Sequence, residues 1–349
     1  MFEIFRSEPL YHYAMDRFSI ISPILYRSDH HVVHIGGGPS RNHPSEINLN
    51  VSLMANVDVV GNAECLPFAD ATIDVIISNA VLEHVRNIDA TLAEINRVLK
   101  PGGFVYIEIP FMQHYHTHDV YGTRFEDYRR LTKAGLIEAF GFCTPLDAGV
   151  CVGPISAALQ IGFSLLQGLS GGRAYQRVIE KLYYFIGNLF VWIDGRLSEA
   201  TIQRSTVPSG VYFFGRKPDH YSPWLDRLPR PNSNFPRDAA ANIVLRRPIG
   251  KQIELRIENS GRTTWLRASK LDWGSVKVGL QRTHGDVCER DFKRFELPRD
   301  IAPGEIFDLS IDRSDLGDAD AATIDLVIEE LCWFEHQGGR PLKIALRGR

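Results

Sequence analysis

Between His31 and Ile109 short motifs follow one another in a single order: HVVHIGGGPS, INLN, VDVVGNAECLPFAD, TIDVIISNAVLEHV and INRVLKPGGFVYIEIP. An apolar strand (Val32, Val33, Ile35) runs into Gly36-Gly37-Gly38, where missing side chains let backbone amides approach a ligand closely. Three more apolar strands follow. The last is preceded by a helix in which Ile88, Leu92, Ile95 and Leu99 recur every 3.6 residues, until Pro101-Gly102-Gly103 stops it. Strands alternating with helices favour a parallel sheet with right-handed crossovers. The expected fold is therefore α/β, a Rossmann-like doubly wound sheet with a nucleotide-type pocket at the carboxyl ends of its strands.

These motifs resemble the class I S-adenosylmethionine-dependent methyltransferases, in the group whose signature ends in LEH…RVLKPGG. Within that group the chain is similar to enzymes of bacterial surface-polysaccharide clusters, which continue, as here, with Pro110-Phe111, His116, Asp127-Tyr128, Arg130 and Thr132. The resemblance covers residues 25 to 217. It implies S-adenosylmethionine as cofactor and O-methylation of a sugar or surface-glycan intermediate. The glycine run alone is weak evidence; the ordered series, with every motif at its spacing, is strong. GGGPSR lacks the G-x-G-x-x-G spacing of a dehydrogenase.

By the same resemblance the cofactor pocket comprises Gly36, Gly37, Gly38, Asn50, Asn62, Ala63, Glu64, Ser78 and Asn79. Three positions depart from the pattern. His34 stands where the first strand carries an acid, Asn50 where a carboxylate accepts both ribose hydroxyls, and Asn62 where an acid faces the adenine amine. Asn50 still accepts one hydrogen bond but lacks charge assistance, a loss of about 1 kcal/mol. Leu66 and Phe68 line an adenine slot or are plain core. Glu83 and His84 line the substrate side or cap the turn.

A hydroxyl acceptor must lose its proton during methyl transfer, and histidine suits that task near neutral pH. His116 is the expected general base, with His114 beside it and Asp127 orienting it or the acceptor; alternatively, Asp127 and Arg130 form a loop-tying ion pair. The spacing of His114, His116 and His118 also suits a metal, but metal-using methyltransferases rely mainly on carboxylates, and none is expected. The three neutral departures keep open a non-catalytic reading, a methyltransferase-fold scaffold or glycan-binding protein with a degenerate pocket.

At 349 residues two domains are expected. Residues 1 to 217 form the methyltransferase domain, with a core at 31 to 145, a helical lead-in ending near Pro23 and an apolar helical insertion at about 154 to 198. A proline-rich linker follows at 218 to 240. From 241 to 349 the period becomes two (Ile253, Leu255, Ile257; Val276, Val278, Leu280; Ile324, Leu326, Ile328), which reads as a β-sandwich. The string IENSGRTTW gives it a modest similarity to immunoglobulin-like modules. Its Trp265, Trp273 and Trp333 are stacking platforms for sugars, or else core or an oligomer interface.

The net charge of -3 offers no field for nucleic acid. Five scattered cysteines without a CxxC pair argue for a reducing compartment, and no signal peptide is recognisable, so a cytoplasmic protein is expected. The run LYYFIGNLFVWI at 182 to 193 is too short to span a bilayer. It is a buried or dimer-forming helix, or one lying at a membrane surface.

Overall fold

The computed structural model describes residues 17–115, 118–120, 123–169, 196–219, 232–236, 239–247, 250–268 and 274–346, with scattered positions between 172 and 193. The chain divides into two compact units. One comprises Met1–Gly61, Phe68–Ile88 and Ile95–Leu225; the other comprises Asn62–Pro67, Asp89–Glu94 and Asp226–Arg349.

The first unit is built on a seven-stranded sheet. Its strands are β1 (Val32–Ile35), β2 (Glu46–Asn50), β3 (Val59–Val60), β4 (Ile73–Asn79), β5 (Leu99–Pro110), β8 (Thr144–Val152) and β9 (Gly210–Arg216), in the order β3-β2-β1-β4-β5-β9-β8. Strands β1 to β5 pair in parallel, and β9 returns antiparallel between β5 and β8. The last parallel strand and the returning strand are the GGFVYIEIP and SGVYFFGRK segments. Chain order reverses between β1 and β4, the switch point at which open α/β sheets hold ligands. Burial explains the strand sequences: Val32, Val75, Ile76, Ile77, Val105, Tyr106 and Ile107 are all inaccessible to solvent.

The alternation of strands with helices is less regular than expected. Helix α2 (Ile88–Val98) does link β4 to β5. Residues 36–45, 51–58 and 61–72, however, connect β1 through β4 by turns, bridges and extended chain without a helix. Side chains hold the first of these links instead. Asn48 Nδ2 donates to the Gly38 and Asn56 carbonyls at 2.8 and 2.9 Å, Asn56 Nδ2 donates to the Pro39 carbonyl, and Arg41 donates to the Glu46 carbonyl. Helix α2 also ends three residues before Pro101, because Leu99 already pairs with Ile73 in the sheet. Helix α1 (Arg17–Leu25) runs through Pro23 and ends two residues beyond it. A hairpin of β6 (His118–Val120) and β7 (Thr123–Phe125), with helices α3 (Lys133–Ala139), α4 (Pro154–Gly168) and α5 (Glu199–Gln203), completes the described part of this unit.

The second unit has a three-stranded sheet, β10 (Ala241–Leu245), β11 (Gln252–Asn259) and β14 (Ile306–Asp312), in the order β10-β11-β14. A five-stranded sheet runs β13 (Val287–Glu296), β12 (Val276–His284), β15 (Ala321–Ile328), β16 (Cys332–Trp333), with β17 (Leu342–Ala345) also on β15. All its pairings are antiparallel, and residues of both sheets share one buried apolar cluster. Each period-two run of the sequence lies on a strand. Strand β13 escapes that reading because its residues Glu289, Arg290, Asp291, Lys293 and Arg294 follow no apolar alternation; it is an edge strand and largely exposed. Trp265 is fully buried against Phe334, and Trp333 is buried with Arg294 and Arg290 over its ring. Neither presents an open face to a sugar. Trp273 lies outside the described residues.

Candidate functional site

Strand β1 ends in a turn whose geometry only glycine serves well. Gly36 has φ +74°, and a Cβ there would lie 2.3 Å from Val81 Cγ2. A Cβ on Gly37 would lie 2.7 Å from Asn48 Oδ1. Gly38, at φ +64°, faces open space. The turn is thus pressed against the residues after β4 on one side and open on the other. Across the switch point Ile35 pairs with Ser78, and the buried Ser78 Oγ and Asn79 Oδ1 have no hydrogen-bond partner among the described residues. Asn79 Nδ2 donates to Glu108 on β5 at 2.8 Å, which fixes the amide so that its oxygen is the orphaned atom. Ala80 follows at φ +52°, a strained conformation for a residue other than glycine, held by its N–H donating to the Glu108 carbonyl.

Asn50 ends β2, partly buried, and its Oδ1 accepts the Ser52 N–H at 3.4 Å. His34 is buried, with Nδ1 3.5 Å from Glu46. Glu46 is a buried acid that the sequence reading did not single out. Burial opposes its charge, but hydrogen bonds with His34, Tyr26 and the Asn42 amide outweigh that and hold the carboxyl below its ordinary range. An acid therefore does stand beside position 34, contributed by the start of β2 rather than the end of β1. Asn62, Ala63 and Glu64 fall in the segment Asn62–Pro67, which groups with the second unit. There Asn62 Oδ1 accepts the Glu64 N–H at 2.9 Å, so the oxygen expected to meet adenine already closes a local turn.

Several hydrogen bonds from distant residues tie the turn after β4. Arg129 donates to the carbonyls of Leu82 (2.8 Å), Val85 and Arg86 (2.9 Å), and Tyr128 N–H donates to the Glu83 carbonyl. His84 Nδ1 lies 2.9 Å from the Glu126 carbonyl, which sets that nitrogen as the donor, and Nε2 is 3.7 Å from Glu83 Oε1. Glu83 is fully buried. Burial raises its carboxyl to about 8, against the smaller opposing pull of Arg130 and Arg129. It is thus an uncharged acid at neutral pH beside an imidazole. Truncating Arg129→Ala strands several carbonyls at once. A loss on the order of 2–4 kcal/mol is expected, read as a melting temperature lowered by roughly 5–10 °C.

Asp127 is buried and its carboxylate is gripped by both terminal nitrogens of Arg130, so it serves the ion pair that the sequence offered as its alternative role. Arg130 also donates to the His114 carbonyl at 3.2 Å, placing exposed His114 next to that pair. His116 lies outside the described residues. The structure therefore brings together Gly36, Gly37, Gly38, Ser78 and Asn79 at the switch point, and His114 with Asp127 beyond β5.

The glycine turn, orphaned acceptors and switch point describe a site, and part of the chain that forms it is similar to known proteins. Residues 42–107 match the methyltransferase domain family. The matching stretch begins just after the glycine turn and ends within β5. Three curated relatives resemble parts of the chain. YafE of Escherichia coli (strain K12), an uncharacterized protein, is 51% identical over 43 residues, 12% of this chain and 21% of that one. Malonyl-[acyl-carrier protein] O-methyltransferase of Methylococcus capsulatus is 47% identical over 45 residues, 13% and 16% of the two chains. The ubiquinone/menaquinone biosynthesis C-methyltransferase UbiE of Rubrivivax gelatinosus is 50% identical over 50 residues, 14% and 20%. The chain spans about a fifth of the length of the curated relatives it matches. Among solved structures, the 1,6-didemethyltoxoflavin-N1-methyltransferase of Burkholderia thailandensis is 16% identical, covering 59% of this chain and 79% of its own, at a TM-score of 0.34. The geranyl diphosphate C-methyltransferase of Streptomyces coelicolor A3(2) is 12% identical, covering 58% and 75%, also at 0.34.

Proposed function

We propose that this chain is an S-adenosylmethionine-dependent methyltransferase acting on a hydroxyl of a sugar or surface-glycan intermediate. One observation carries the reading: the glycine turn and the orphaned Ser78 and Asn79 acceptors flank the switch point of a parallel sheet, in a chain whose residues 42–107 match a methyltransferase domain. The residues present suit the cofactor. The Gly36–Gly38 turn admits its backbone-facing edge, Asn50 accepts a ribose hydroxyl, and Ser78 Oγ and Asn79 Oδ1 are acceptors for an ammonium group. When bound, the sulfonium supplies an electrophilic methyl group. The protein aligns the acceptor, excludes water and removes the hydroxyl proton. We assign that proton to the histidine-rich segment that follows β5 in the sequence, with His116 as base and His114 and Asp127 assisting it, and the glycan acceptor follows from the sequence resemblance. The second unit we read as a two-layer β-sandwich.

The test is calorimetric titration of the purified chain with S-adenosylmethionine and S-adenosylhomocysteine. Binding of roughly micromolar strength is expected, about 8 kcal/mol. Asn50→Asp restores charge assistance at the ribose and is expected to tighten binding roughly fivefold, about 1 kcal/mol. Failure of the wild type to bind either ligand overturns the enzyme reading and leaves the scaffold, for which His34, Asn50 and Asn62 in place of acids speak.

A further inference from the structure

Helix α4 changes character halfway along. Its first turns bury Ser156, Ala157 and Gln160, and Ser209 Oγ donates to Gln160 Oε1. From Ile161 onward the helix stands clear of the sheet: Leu165 is 67% exposed and Leu169 69%, and a Cβ added at Gly162 or Gly168 would meet nothing within 4 Å. Ile161, Leu165 and Leu169 recur every four residues, so they form one stripe. Tyr175 OH donates to the Leu166 carbonyl at 2.8 Å. Positions 175, 177–179, 181, 182, 185 and 186 are helical. Val178 (62% exposed), Leu182 and Phe185 (78%) make a second apolar stripe at spacings of four and three. Soluble monomers rarely leave a run of large apolar side chains this exposed without a partner.

The charges around these stripes indicate what covers them. Helix α4 contains no charged residue at all. Exposed Arg177 and Lys181 sit immediately before Val178 and Leu182, at the border of the second stripe. Across 154–198 four basic residues face two acidic ones, in a chain whose net charge is -3. In a contact between copies helix α4 would offer Arg177 and Lys181 no opposite charge, since it has none. An anionic headgroup layer neutralises that border while its acyl boundary receives the stripes. No described helix is long and apolar enough to cross a membrane, so the contact lies in the plane of the surface.

We propose that the stripes Ile161-Leu165-Leu169 and Val178-Leu182-Phe185 dock on an anionic lipid bilayer. The inference does not depend on the chemistry at the switch point.

The full chain is to be sedimented with phosphatidylcholine vesicles with and without phosphatidylglycerol, at low and high salt. Expected is co-sedimentation that requires phosphatidylglycerol, weakens with salt and falls at least tenfold in L165E/L169E, in F185E and in R177E/K181E. Circular dichroism of each variant shows whether it is folded, and binding of S-adenosylmethionine reports separately on the methyltransferase reading. Absence of wild-type co-sedimentation, or equal binding to neutral vesicles, overturns the proposal. So does a solution dimer, by light scattering, that L165E/L169E dissociates, because the stripes are then covered by a second copy.

Discussion

Replacing Gly36 with alanine is expected to abolish S-adenosylmethionine binding and to lower stability by about 2–5 kcal/mol. Two effects combine. At φ +74° an L-residue bears a steric cost of about 1–2 kcal/mol. The new methyl would also lie 2.3 Å from Val81 Cγ2 and 3.4 Å from Val81 Cβ. Valine is stiff about χ1 and cannot swing aside freely, so the turn or the segment after β4 must shift, at about 1–3 kcal/mol. Either shift parts the glycine turn from Ser78 and Asn79. Gly38→Ala provides the contrast: φ is +64° but no atom lies within 4 Å of the new methyl, so only the conformational cost of about 1 kcal/mol applies. Melting curves and calorimetry of the two variants side by side decide the matter. Equal losses in both would show that the contact with Val81 has no special weight.

The second large effect concerns Glu83. Its carboxyl ordinarily titrates near 4.5 and is raised to about 8 by burial in the folded chain. The folded state therefore binds this proton more tightly than the unfolded state. The resulting stability is fully present below pH 4.5, declines as the unfolded chain ionises, and is gone above about pH 8. Glu83→Gln keeps the shape and removes the titration. The variant is expected to match the wild type near pH 4.5 and to exceed it at pH 8 by a few kcal/mol, with denaturant midpoints as the measure. A wild-type advantage at pH 8 would mean that the carboxylate is charged and paired in the folded state.

Much of this architecture is legible in the sequence because it rests on local rules. The apolar strands around Ile35, Ile76 and Ile107, the 3.6-residue period of Ile88 to Ile95, and the period-two runs at Ile253 and Ile324 each reflect burial of one face or of both. What escapes the sequence reading depends on partners distant in the chain. Helices were expected between the first strands, but the turns there are held by Asn48, Asn56 and Arg41, polar residues without a periodic signature. Glu46 beside His34 is contributed by another strand, and a motif aligned along β1 cannot display it. The grip of Arg129 on the turn after β4 joins residues more than forty positions apart. For Asp127 the sequence offers two roles, an orienting acid or an ion pair with Arg130, and the folded chain shows the ion pair formed.

The edge strand β13 has its own consequence. A row of open backbone donors and acceptors at a sheet edge is a template on which another chain can extend the sheet. Here five of the six residues from Glu289 to Arg294 are charged, with both signs present, and the strand shifts register against β12 between Leu280 and Arg282. An incoming copy in register would stack arginine on arginine and glutamate on glutamate, and the irregular spacing denies it a straight ladder. The least apolar strand of the unit is thus a poor template for a further copy to extend the sheet.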